Sequence, residues 1–429
     1  MTQIEQAAKG VVTPEMQAVA KFENLSENFI MENVATGRIV IPANINHKSL
    51  SPCGIGRALK TKVNANIGIS ALSSCIGEEY DKLNIAVKYG ADTVMDLSTG
   101  DNISAIRKKI LSNCRVPLGT VPIYEMVSRF GSKDFSSERI LSVIAEQAQQ
   151  GVDYMTIHAG ILRKYLPFAL KRKLGIVSRG GALIGAWMQE NKQENPFYEN
   201  FDEILEICRQ HDVTISLGDA LRPGCLADAS DEAQFAELET LGELVKRCRK
   251  AGVQVMVEGP GHVPLDQIQE NMERERKVCD DAPFYILGPL VIDCAPGYDH
   301  LVGSMGGMMG AYYGAAMLCY VTPKEHLGLP NADDVRQGVV AFKIAAHAAD
   351  VALHKGNAIE RDNLISDARS EFNWDKQFEL SLDNERAESL RNEALIASSQ
   401  KNQHNPKYCS MCGPDFCSVR LSNRLKKEN

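Results

Sequence analysis

The sequence predicts an α/β protein built on a (β/α)8 barrel of the TIM type. Nine short β-rich runs alternate with helical stretches through the middle of the chain: Lys62–Gly68, Ala91–Ser98, Val116–Tyr124, Asp153–Gly160, Gly175–Gly181, Val213–Ala220, Val253–Pro260, Tyr285–Asp293 and Ala316–Thr322. Strand–helix alternation at this spacing favours parallel strands with right-handed crossovers. No G-x-G-x-x-G motif follows the first run, so an open dinucleotide-binding sheet lacks its fingerprint. Eight or nine units therefore indicate a closed barrel with at most one extra strand.

The helices between the runs have amphipathic patterns and glycine stops. The clearest are Ser137–Gln150, Asp231–Lys250 and Asp334–Lys355, and we expect them to end near Gly151, Gly252 and Gly356.

The chain is predicted to have three regions. Residues 1–45 form a short helical N-terminal segment, in which Thr13-Pro14-Glu15 resembles a helix start. Residues 46–383 form the barrel. Residues 384–429 form a C-terminal arm: a charged helix from Arg386 to Ala397, a polar linker from Ser398 to Pro406, and a cysteine loop.

Composition narrows the function classes. The net charge of −8 leaves no basic surplus for neutralising phosphates, which argues against a nucleic-acid partner. No apolar run is long enough to span a bilayer, and the N-terminus lacks the pattern of a signal peptide, so we expect no membrane partner and a cytoplasmic location. Nine of the 12 cysteines are scattered singly and are typical of reduced, buried side chains rather than of a disulfide framework.

Polar side chains fall at or just past the ends of most β-rich runs. They are Asn64, Asn66, Met95 (an apolar exception), Asp96, Tyr124, His158, Ser178, Arg179, Asp219, Arg222 and Glu258. In a barrel this is the face where substrates react. Capping of the following helix is the alternative for each residue alone.

Two histidines predict a metal site at the same face. Glu258-Gly-Pro-Gly-His262 and Lys324-Glu-His326 project from loops after two strands, and two imidazoles can hold one divalent ion with positions left open. Hydrogen-bonded loop histidines are an equal alternative. His158 is a third member or a hydrogen-bond donor, and His300 has a weaker claim.

Arginines beside glycines predict an anion cradle. Ser178-Arg179-Gly180-Gly181 and Asp219-Ala220-Leu221-Arg222 each combine a guanidinium with backbone amides, which suits a phosphate monoester. The alternative explanation of these two motifs is that their residues cap helices or form ordinary Arg–Asp ion pairs.

The run Cys409-Ser-Met-Cys412-Gly-Pro-Asp-Phe-Cys417 predicts a soft-metal site. Three thiolates can hold three irons of a four-iron cluster and leave the fourth iron open. A structural zinc with His404 as fourth ligand is equally consistent with the spacing.

The motifs together resemble the phosphomethylpyrimidine synthase family of thiamine biosynthesis. The matching strings are Pro42–His47, Lys62–Gly68, Met95–Gly100, Gly119–Tyr124, Thr156–Gly160, Ile176–Gly181, Glu258–His262, Cys319–His326 and the terminal Cys-x-x-Cys-x-x-x-x-Cys. The resemblance covers almost the whole chain. It implies a (β/α)8 barrel, a homodimer and a C-terminal arm whose [4Fe-4S] cluster reaches a neighbouring barrel mouth.

The resemblance also implies chemistry and residue roles. It implies reductive cleavage of S-adenosylmethionine, with electrons from a flavodoxin- or ferredoxin-type donor, and rearrangement of 5-aminoimidazole ribotide to hydroxymethylpyrimidine phosphate with loss of formate and carbon monoxide. Cys409, Cys412 and Cys417 would hold the cluster, and His262 and His326 a zinc or other divalent ion. The residues expected around the substrate are Asn66, Met95, Tyr124, His158, Ser178, Arg179, Gly180, Asp219, Ala220, Leu221, Arg222, Glu258 and Tyr285.

The chain departs from the family pattern at two points. Many members have a further N-terminal domain, whereas here the barrel motifs begin near residue 42, and glycine is usual in the family where Ala220 stands. The Ala220 departure bears on the fit around the sugar phosphate. The short form and the segment Leu301–Met309 keep open a paralogue, 5-hydroxybenzimidazole synthase of anaerobic cobamide biosynthesis, which starts from the same ribotide. A barrel that is stabilised by zinc and binds a phosphorylated ligand without turnover is the alternative from a different class.

Overall fold

The structure, a computed structural model, describes residues 1–69, 76–100, 102–399, 407–409 and 411–428. The chain separates into two compact units, Met1–Gly356 and Asn357–Asn429. The three-region division of the sequence stays a prediction. Within the described ranges, no helix is both long enough and apolar enough to cross a membrane.

A closed parallel barrel forms the first unit, which confirms the predicted fold class. The strands in chain order are β1 (Ile39–Val40), β2 (Ile55–Gly56), β3 (Lys62–Ile67), β4 (Thr93–Asp96), β5 (Leu118–Thr120), β6 (Tyr154–Ile157), β7 (Thr214–Leu217), β8 (Val255–Gly259), β9 (Phe284–Leu287) and β10 (Met317–Cys319). The eight strands β3 to β10 close in sequence order, because β10 pairs with β3 through Met317 opposite Lys62 and Cys319 opposite Asn64. The strands β1 and β2 form a separate antiparallel pair.

Helices cover the barrel and build the second unit. In the first unit they are α1 (Gln3–Ala8), α2 (Pro14–Glu23), α3 (Glu27–Ala35), α4 (Ile76–Lys88), α5 (Ile103–Leu111), α6 (Pro122–Phe130), α7 (Ser137–Gln150), α8 (Leu166–Ala169), α9 (Arg179–Asn191), α10 (Pro196–Glu199), α11 (Phe201–His211), α12 (Glu232–Lys250), α13 (Ile268–Val278), α14 (Asp299–Tyr313) and α15 (Ala332–Ala352). In the second they are α16 (Ala358–Ser370), α17 (Trp374–Leu380), α18 (Asn384–Ser399), α19 (Gly413–Phe416) and α20 (Ser418–Glu428).

Most predicted helix boundaries are confirmed. Helix α7 has the predicted bounds and ends at Gly151, whose φ of 106° is left-handed. Thr13 caps α2 by accepting the Met16 N–H, and Pro14 is its first residue, as predicted. Asp231, predicted as the first residue of α12, is instead its cap and accepts the Gln234 N–H at 2.9 Å.

The prediction for α15 is wrong at both ends. Asn331 and Asp334 form a capping box, which starts the helix at Ala332 rather than at Asp334. At the other end α15 stops at Ala352, and His354 already has a left-handed φ of 53°. Gly356 therefore lies beyond the helix end and does not terminate it.

The prediction of a strand at Gly175–Gly181 is also wrong. The neighbouring strands β6 and β7 pair directly with each other, from Tyr154 opposite Thr214 to Ile157 opposite Leu217, so no edge is open for another strand. The Ile176-Val177 pair lies in a loop, and α9 begins at Arg179.

A buried carboxylate ties the N-terminal segment to the barrel. Asp153, at the start of β6, accepts hydrogen bonds from the backbone N–H of Asn44 at 3.0 Å and of Leu118 at 2.8 Å. His47 Nδ1 lies 2.7 Å from the same carboxylate. The helices α1 to α3 pack around a small core of their own that includes Met16, Ile30 and Val34.

One close approach inside the barrel gives a test of its packing. A Cβ added at Gly119 on β5 would lie 2.2 Å from the ring of Tyr154. The Tyr154 hydroxyl is fixed by a hydrogen bond to Asn64 Oδ1 at 2.8 Å, so the ring cannot move freely. We expect Gly119→Ala to lower the free energy of unfolding by about 1–3 kcal/mol, the usual cost of overpacking.

Thermal and urea unfolding of the purified variant measure this change. Gly328→Ala is the matched control, since no described atom lies within 4 Å of its added Cβ. Equal stability of the Gly119 variant and wild type would contradict the packing described here.

Candidate active site

A cavity opens at the carboxyl ends of the barrel strands. Its lining residues are Asn66, Met95, Leu97, Val121, Tyr124, Thr156, His158, Asp219, Arg222, Glu258, Gly259, Tyr285, Ile286, Leu287 and Cys319. Eight of the residues expected around a substrate are among them. They come from different strands far apart in sequence, and only closure of the barrel brings them to one place.

Asp219 and Arg222 form an ion pair at one wall of the cavity. Arg222 Nη1 donates to Asp219 Oδ1 at 2.9 Å, while Asp219 Oδ2 is buried and has no hydrogen-bond partner among the described residues. Burial raises the pKa of Asp219 to about 7, and the Arg222 guanidinium opposes this rise. The pair can accept a hydrogen bond from a ligand at the second carboxylate oxygen.

Glu258 is held by two hydroxyls. Thr156 Oγ1 and Ser216 Oγ donate to Glu258 Oε1 at 2.6 and 2.7 Å. Burial raises the pKa of Glu258, and these two hydrogen bonds limit the rise. Both hydrogen bonds use Oε1, so Oε2 of Glu258 can accept a hydrogen bond from a group in the cavity.

His158 presents an unpaired ring nitrogen. Ser178 Oγ accepts the Gly181 N–H and lies 3.2 Å from His158 Nε2, so the hydroxyl proton is assigned to the bond with Nε2. Burial, with Arg222 adding to it, lowers the pKa of His158 to about 3, so the ring is neutral and carries its proton on Nδ1. Nδ1 is buried and finds no acceptor in the described part of the chain. It is therefore a hydrogen-bond donor ready for a ligand.

The predicted anion cradle lies at the start of α9. Ser178 caps this 13-residue helix, and Arg179 stacks with its guanidinium carbon 4.9 Å from the centre of the Tyr124 ring. A Cβ on Gly180 would lie 2.5 Å from His158 Cε1, so only glycine fits there. A helix N-terminus with an adjacent guanidinium attracts an anion.

A wider cavity of about 630 Å³ adjoins the first and shares Asn66 and Leu97 with it. Arg179, Lys82 and Lys324 line it together with His326. Lys82 is paired with Glu79 at 2.7 Å and Lys324 with Asp334 at 3.0 Å, and Glu325 lines the cavity as well, so the lysine charges are largely compensated.

The structure brings His262 and His326 together. Their ring centroids are 5.4 Å apart. His262 Nδ1 lies 2.8 Å from Asp293 Oδ1, and His326 Nδ1 lies 3.4 Å from Asp299 Oδ1. The hydrogen bond between Asp293 and Nδ1 of His262 leaves the Nε2 of that ring free to ligate, as in metal-binding histidines.

Two imidazoles would supply two ligands of a divalent ion, and the remaining ligands would have to come from other groups. In the parts of the chain that the structure describes, no group of three or more His, Cys, Asp or Glu side chains is placed to hold a metal ion. His158 and His300 do not complete a cage: His158 is bonded to Ser178, and His300 lines neither cavity.

The three terminal cysteines lie in the second unit. Cys409 and Cys412 are half-buried and Cys417 is buried. The pKa of Cys409 is lowered, first by the backbone N–H of Cys412 and further by that of Met411 and by Arg391. Amides directed at a sulfur stabilise a thiolate, which suits an iron–sulfur ligand. His404 and Ser410 lie outside the described residues, as does most of the predicted linker.

Several predicted residues do not line the main cavity with their side chains. Ala220 and Leu221 are fully buried in the loop after β7, and Ser178 and Gly180 act through His158. Thr156, Ser216 and Cys319 were not predicted. Thr156 lies two residues before His158 on β6, so the two-residue period of a strand could have identified it. Ser216 contacts Glu258 across strands, which no local pattern reveals.

Comparison with known proteins identifies one family. A family model described as the radical SAM ThiC family matches residues 2–424. Among solved structures, dihydropteroate synthases from Coxiella burnetii (with pteroic acid) and Vibrio fischeri are similar at 13% and 11% identity. The Coxiella burnetii enzyme aligns with a TM-score of 0.39 over 68% of this chain and 94% of its own length. The Vibrio fischeri enzyme aligns with a TM-score of 0.41 over 73% of this chain and 98% of its own length. Likenesses this weak support no conclusion, and the fold rests on the strand order above.

The raised pKa of Asp219 predicts a pH-dependent stability. A folded pKa of about 7 exceeds that of an unfolded aspartate, about 3.9. The folded state therefore binds more protons between these values, and the stability that this contributes is lost as the pH rises towards 7. We expect the stability of Asp219→Asn, relative to wild type, to rise from about pH 4.5 to about pH 7 and then to level off.

Thermal unfolding at closely spaced pH values measures this difference. Asp81→Asn, at an exposed position on α4, is the control and should show no such rise. A constant or falling difference for the Asp219 variant would reject the assignment.

Proposed function

The chain belongs to the radical SAM ThiC family, and on that premise we propose that it converts 5-aminoimidazole ribotide to 4-amino-5-hydroxymethyl-2-methylpyrimidine phosphate, releasing formate and carbon monoxide. Family membership itself implies an iron–sulfur enzyme that uses S-adenosylmethionine and a reductant. The single observation that carries the ribotide as substrate is the barrel-mouth cavity, which is lined by two buried acids and by His158 with its unpaired N–H. The start of α9, the predicted anion cradle, contacts this cavity through Ser178 and His158.

The phosphate of the ribotide is assigned to the start of α9. Ser178 accepts the Gly181 N–H, the positive end of the α9 dipole lies at this turn, and Arg179 adds a formal charge. Because Arg179 is stacked on Tyr124, its guanidinium is oriented before a ligand arrives.

The ribose and imidazole are assigned to the acids. Asp219 and Glu258 would accept hydrogen bonds from the hydroxyl and amino groups of the ligand. Arg222 holds Asp219 in place, and the hydroxyls described above hold Glu258. His158 Nδ1–H donates to an oxygen of the ligand. Tyr285 and Asn66 contact the Asn64 amide below and shape the floor of the site.

Cys409, Cys412 and Cys417 would hold the [4Fe-4S] cluster, which supplies reductive cleavage of S-adenosylmethionine to a 5′-deoxyadenosyl radical when bound. Low-potential electrons would come from a flavodoxin- or ferredoxin-type donor. His262 and His326 would hold a zinc or other divalent ion. Walls of Leu97, Val121, Ile286 and Leu287 exclude water from the reacting atoms.

The paralogous product, 5-hydroxybenzimidazole, is the second candidate. The segment Leu301–Met309, which lies within α14, keeps it open, because it is less typical of the pyrimidine enzymes. Ala220 packs under the anion cradle: a Cβ on Gly181 would lie 2.5 Å from the Ala220 carbonyl oxygen and 2.8 Å from its Cβ. An alanine there changes the space below the phosphate site. A homodimer and a cytoplasmic location stay predictions.

One assay tests the function and separates the products. The protein is reconstituted anaerobically with iron and sulfide, supplied with ribotide, S-adenosylmethionine and dithionite, and the products are identified by mass. Hydroxymethylpyrimidine phosphate supports the proposal, and a benzimidazole replaces it with the paralogue. Absence of deoxyadenosine, with zinc but no iron or sulfide at the cysteines, supports a barrel that binds its ligand without turnover.

Cys412→Ala tests the cluster ligands. Two remaining thiolates cannot hold the cluster, so we expect deoxyadenosine formation to fall by more than about 10³-fold while the barrel stays folded. Cys53→Ala, another half-buried cysteine but one that lies in the first unit, should keep both activity and iron content. Retained activity in the Cys412 variant would refute the assignment.

His262→Ala with His326→Ala tests the second metal. Since each ring offers one Nε2, we expect the double variant to lose about one divalent ion per chain, as measured by elemental analysis after dialysis. His211→Ala, at the end of α11, serves as the control. Unchanged metal content in the double variant would exclude the pair as ligands.

A further inference from the structure

A stacked arginine–tryptophan pair lies in the second unit, next to the cysteine loop. The guanidinium carbon of Arg391 on α18 lies 4.1 Å from the centre of the Trp374 ring on α17. Arg391 is only 8% exposed, although arginines are seldom buried without a specific partner. Neither residue belongs to the barrel-mouth site or to the metal ligands assigned above.

The pair holds two consecutive carbonyls that lead into the first cysteine. Trp374 Nε1 donates to the Lys407 carbonyl at 3.1 Å, and Arg391 Nη2 donates to the Tyr408 carbonyl at 2.9 Å. Cys409 is the next residue of the chain. Two side chains in contact with each other therefore fix the backbone immediately before a cluster ligand.

Stacking limits the directions in which Arg391 can donate. An aromatic face attracts a guanidinium, and the planar group then has fewer orientations available for its N–H groups. The residue that accepts from it is also packed, since the Tyr408 ring meets the Phe372 ring edge-on at 5.0 Å between centroids. Lysine would supply the same charge at this position but not the same planar contact.

The same guanidinium places a permanent positive charge near the Cys409 sulfur. The pKa of this thiol is lowered first by the backbone N–H of Cys412 and further by Arg391. In the opposite direction, burial lowers the pKa of Arg391 and Cys409 raises it. The two groups therefore interact electrostatically, and the arginine stays charged throughout the pH range in which proteins fold.

A second arginine near the loop differs in its charge balance. Arg420 of α20 lies with its guanidinium carbon 5.8 Å from the centre of the Tyr408 ring. Its Nη1 lies 3.6 Å from Asp415 Oδ1 and donates to the Pro414 carbonyl. The neighbouring carboxylate offsets much of this charge. Arg391 is also more deeply buried, where water and salt screen a charge less.

We propose that Arg391 is a positioning residue for the cluster: stacked on Trp374, it holds the backbone that carries Cys409, and its charge favours the reduced state of the cluster. One added electron makes a thiolate-ligated cluster more negative, and a nearby cation lowers the energy of that state. The inference rests on the proposed function only in taking the three cysteines as the cluster ligands.

The test compares Arg391→Gln with Arg391→Lys in the full-length protein, reconstituted anaerobically with iron and sulfide. Glutamine removes the charge, and lysine keeps it. Titration with dithionite, followed by electron paramagnetic resonance, measures the one-electron reduction. We expect the equilibrium constant for reduction to fall about 10-fold for Gln, or about 59 mV, and to stay within about 3-fold for Lys. Arg391→Met, which keeps an apolar stem for the Trp374 face, replaces Gln if that variant takes up too little iron.

Arg361 of α16 is the matched control, because it holds carbonyls of the same unit that do not belong to the cysteine loop. It donates to the Leu380 carbonyl at 2.6 Å and to the Ser381 carbonyl at 3.0 Å. Arg361→Gln should lower the thermal midpoint of unfolding and leave the reduction equilibrium within about 2-fold. A shift equal to that of Arg391→Gln would reduce the effect to general loosening of the unit and overturn the proposal.

The positioning role has a measurement of its own, the rate at which the oxidised cluster loses iron to a chelator in the absence of substrate. Trp374→Leu removes both the stacking face and the N–H that meets the Lys407 carbonyl. We expect this variant and Arg391→Gln to release iron about 5-fold faster or more, and Arg361→Gln to release it at the wild-type rate. Release at the wild-type rate from the first two variants would overturn the positioning role.

The wild-type protein separates a failure of this inference from a failure of the proposed function. A wild type that takes up no iron and sulfide would overturn the cluster assignment, and the inference with it. A loaded wild type whose reduction equilibrium and iron release equal those of Arg391→Gln would overturn only the role of Arg391.

Discussion

The site depends on the pairing of the last barrel strand with the first. Because Cys319 on β10 lies opposite Asn64 on β3, residues more than 250 positions apart share one mouth. The closure is secured at the opposite end by buried polar contacts. Lys62 Nζ lies 2.8 Å from Glu23 Oε1, and the Thr61 N–H donates to Asp350 of α15 at 3.0 Å. An open sheet with the same strands would place Asn66 and Glu258 on different neighbours and leave no common cavity.

Beneath the cavity, one amide organises a polar floor. Asn64 Oδ1 accepts from Tyr154 and Thr93 at 2.8 Å each, and its Nδ2 donates to Tyr285 at 2.7 Å and Asn66 at 2.9 Å. All four hydrogen-bonding positions of a buried amide are thus used, which removes the cost of burying it. A fully satisfied network of this kind is rigid, and it fixes the orientation of side chains that face a ligand.

The sequence was sufficient for the barrel and for much of its mouth, because strand periodicity and strand-end polarity are local signals. The strand prediction at Gly175–Gly181 was wrong since β-branched residues beside glycines also suit a loop, and only the direct pairing of β6 with β7 excludes a strand. Ser216 and Glu237 escaped notice for a different reason. Each acts on a residue of another element, Glu258 and Leu221, and such contacts are determined by packing in three dimensions.

The distribution of charge across the mouth also limits how a ligand can enter. The start of α9 and Arg179 form a positive side. Asp219 and Glu258 form an acidic side, whose only described guanidinium contact at hydrogen-bond distance is Arg222, already bonded to Asp219. An anionic group gains energy on the first side and loses it on the second, because charges interact strongly where little water intervenes. For the phosphorylated ligand proposed above, this distribution of charge favours one orientation, with its phosphate at α9 and its hydroxyl and amino donors towards the acids. In that orientation the reacting part of the ligand would lie against the rigid Asn64 floor, where its position would be set by the strands rather than by the loops.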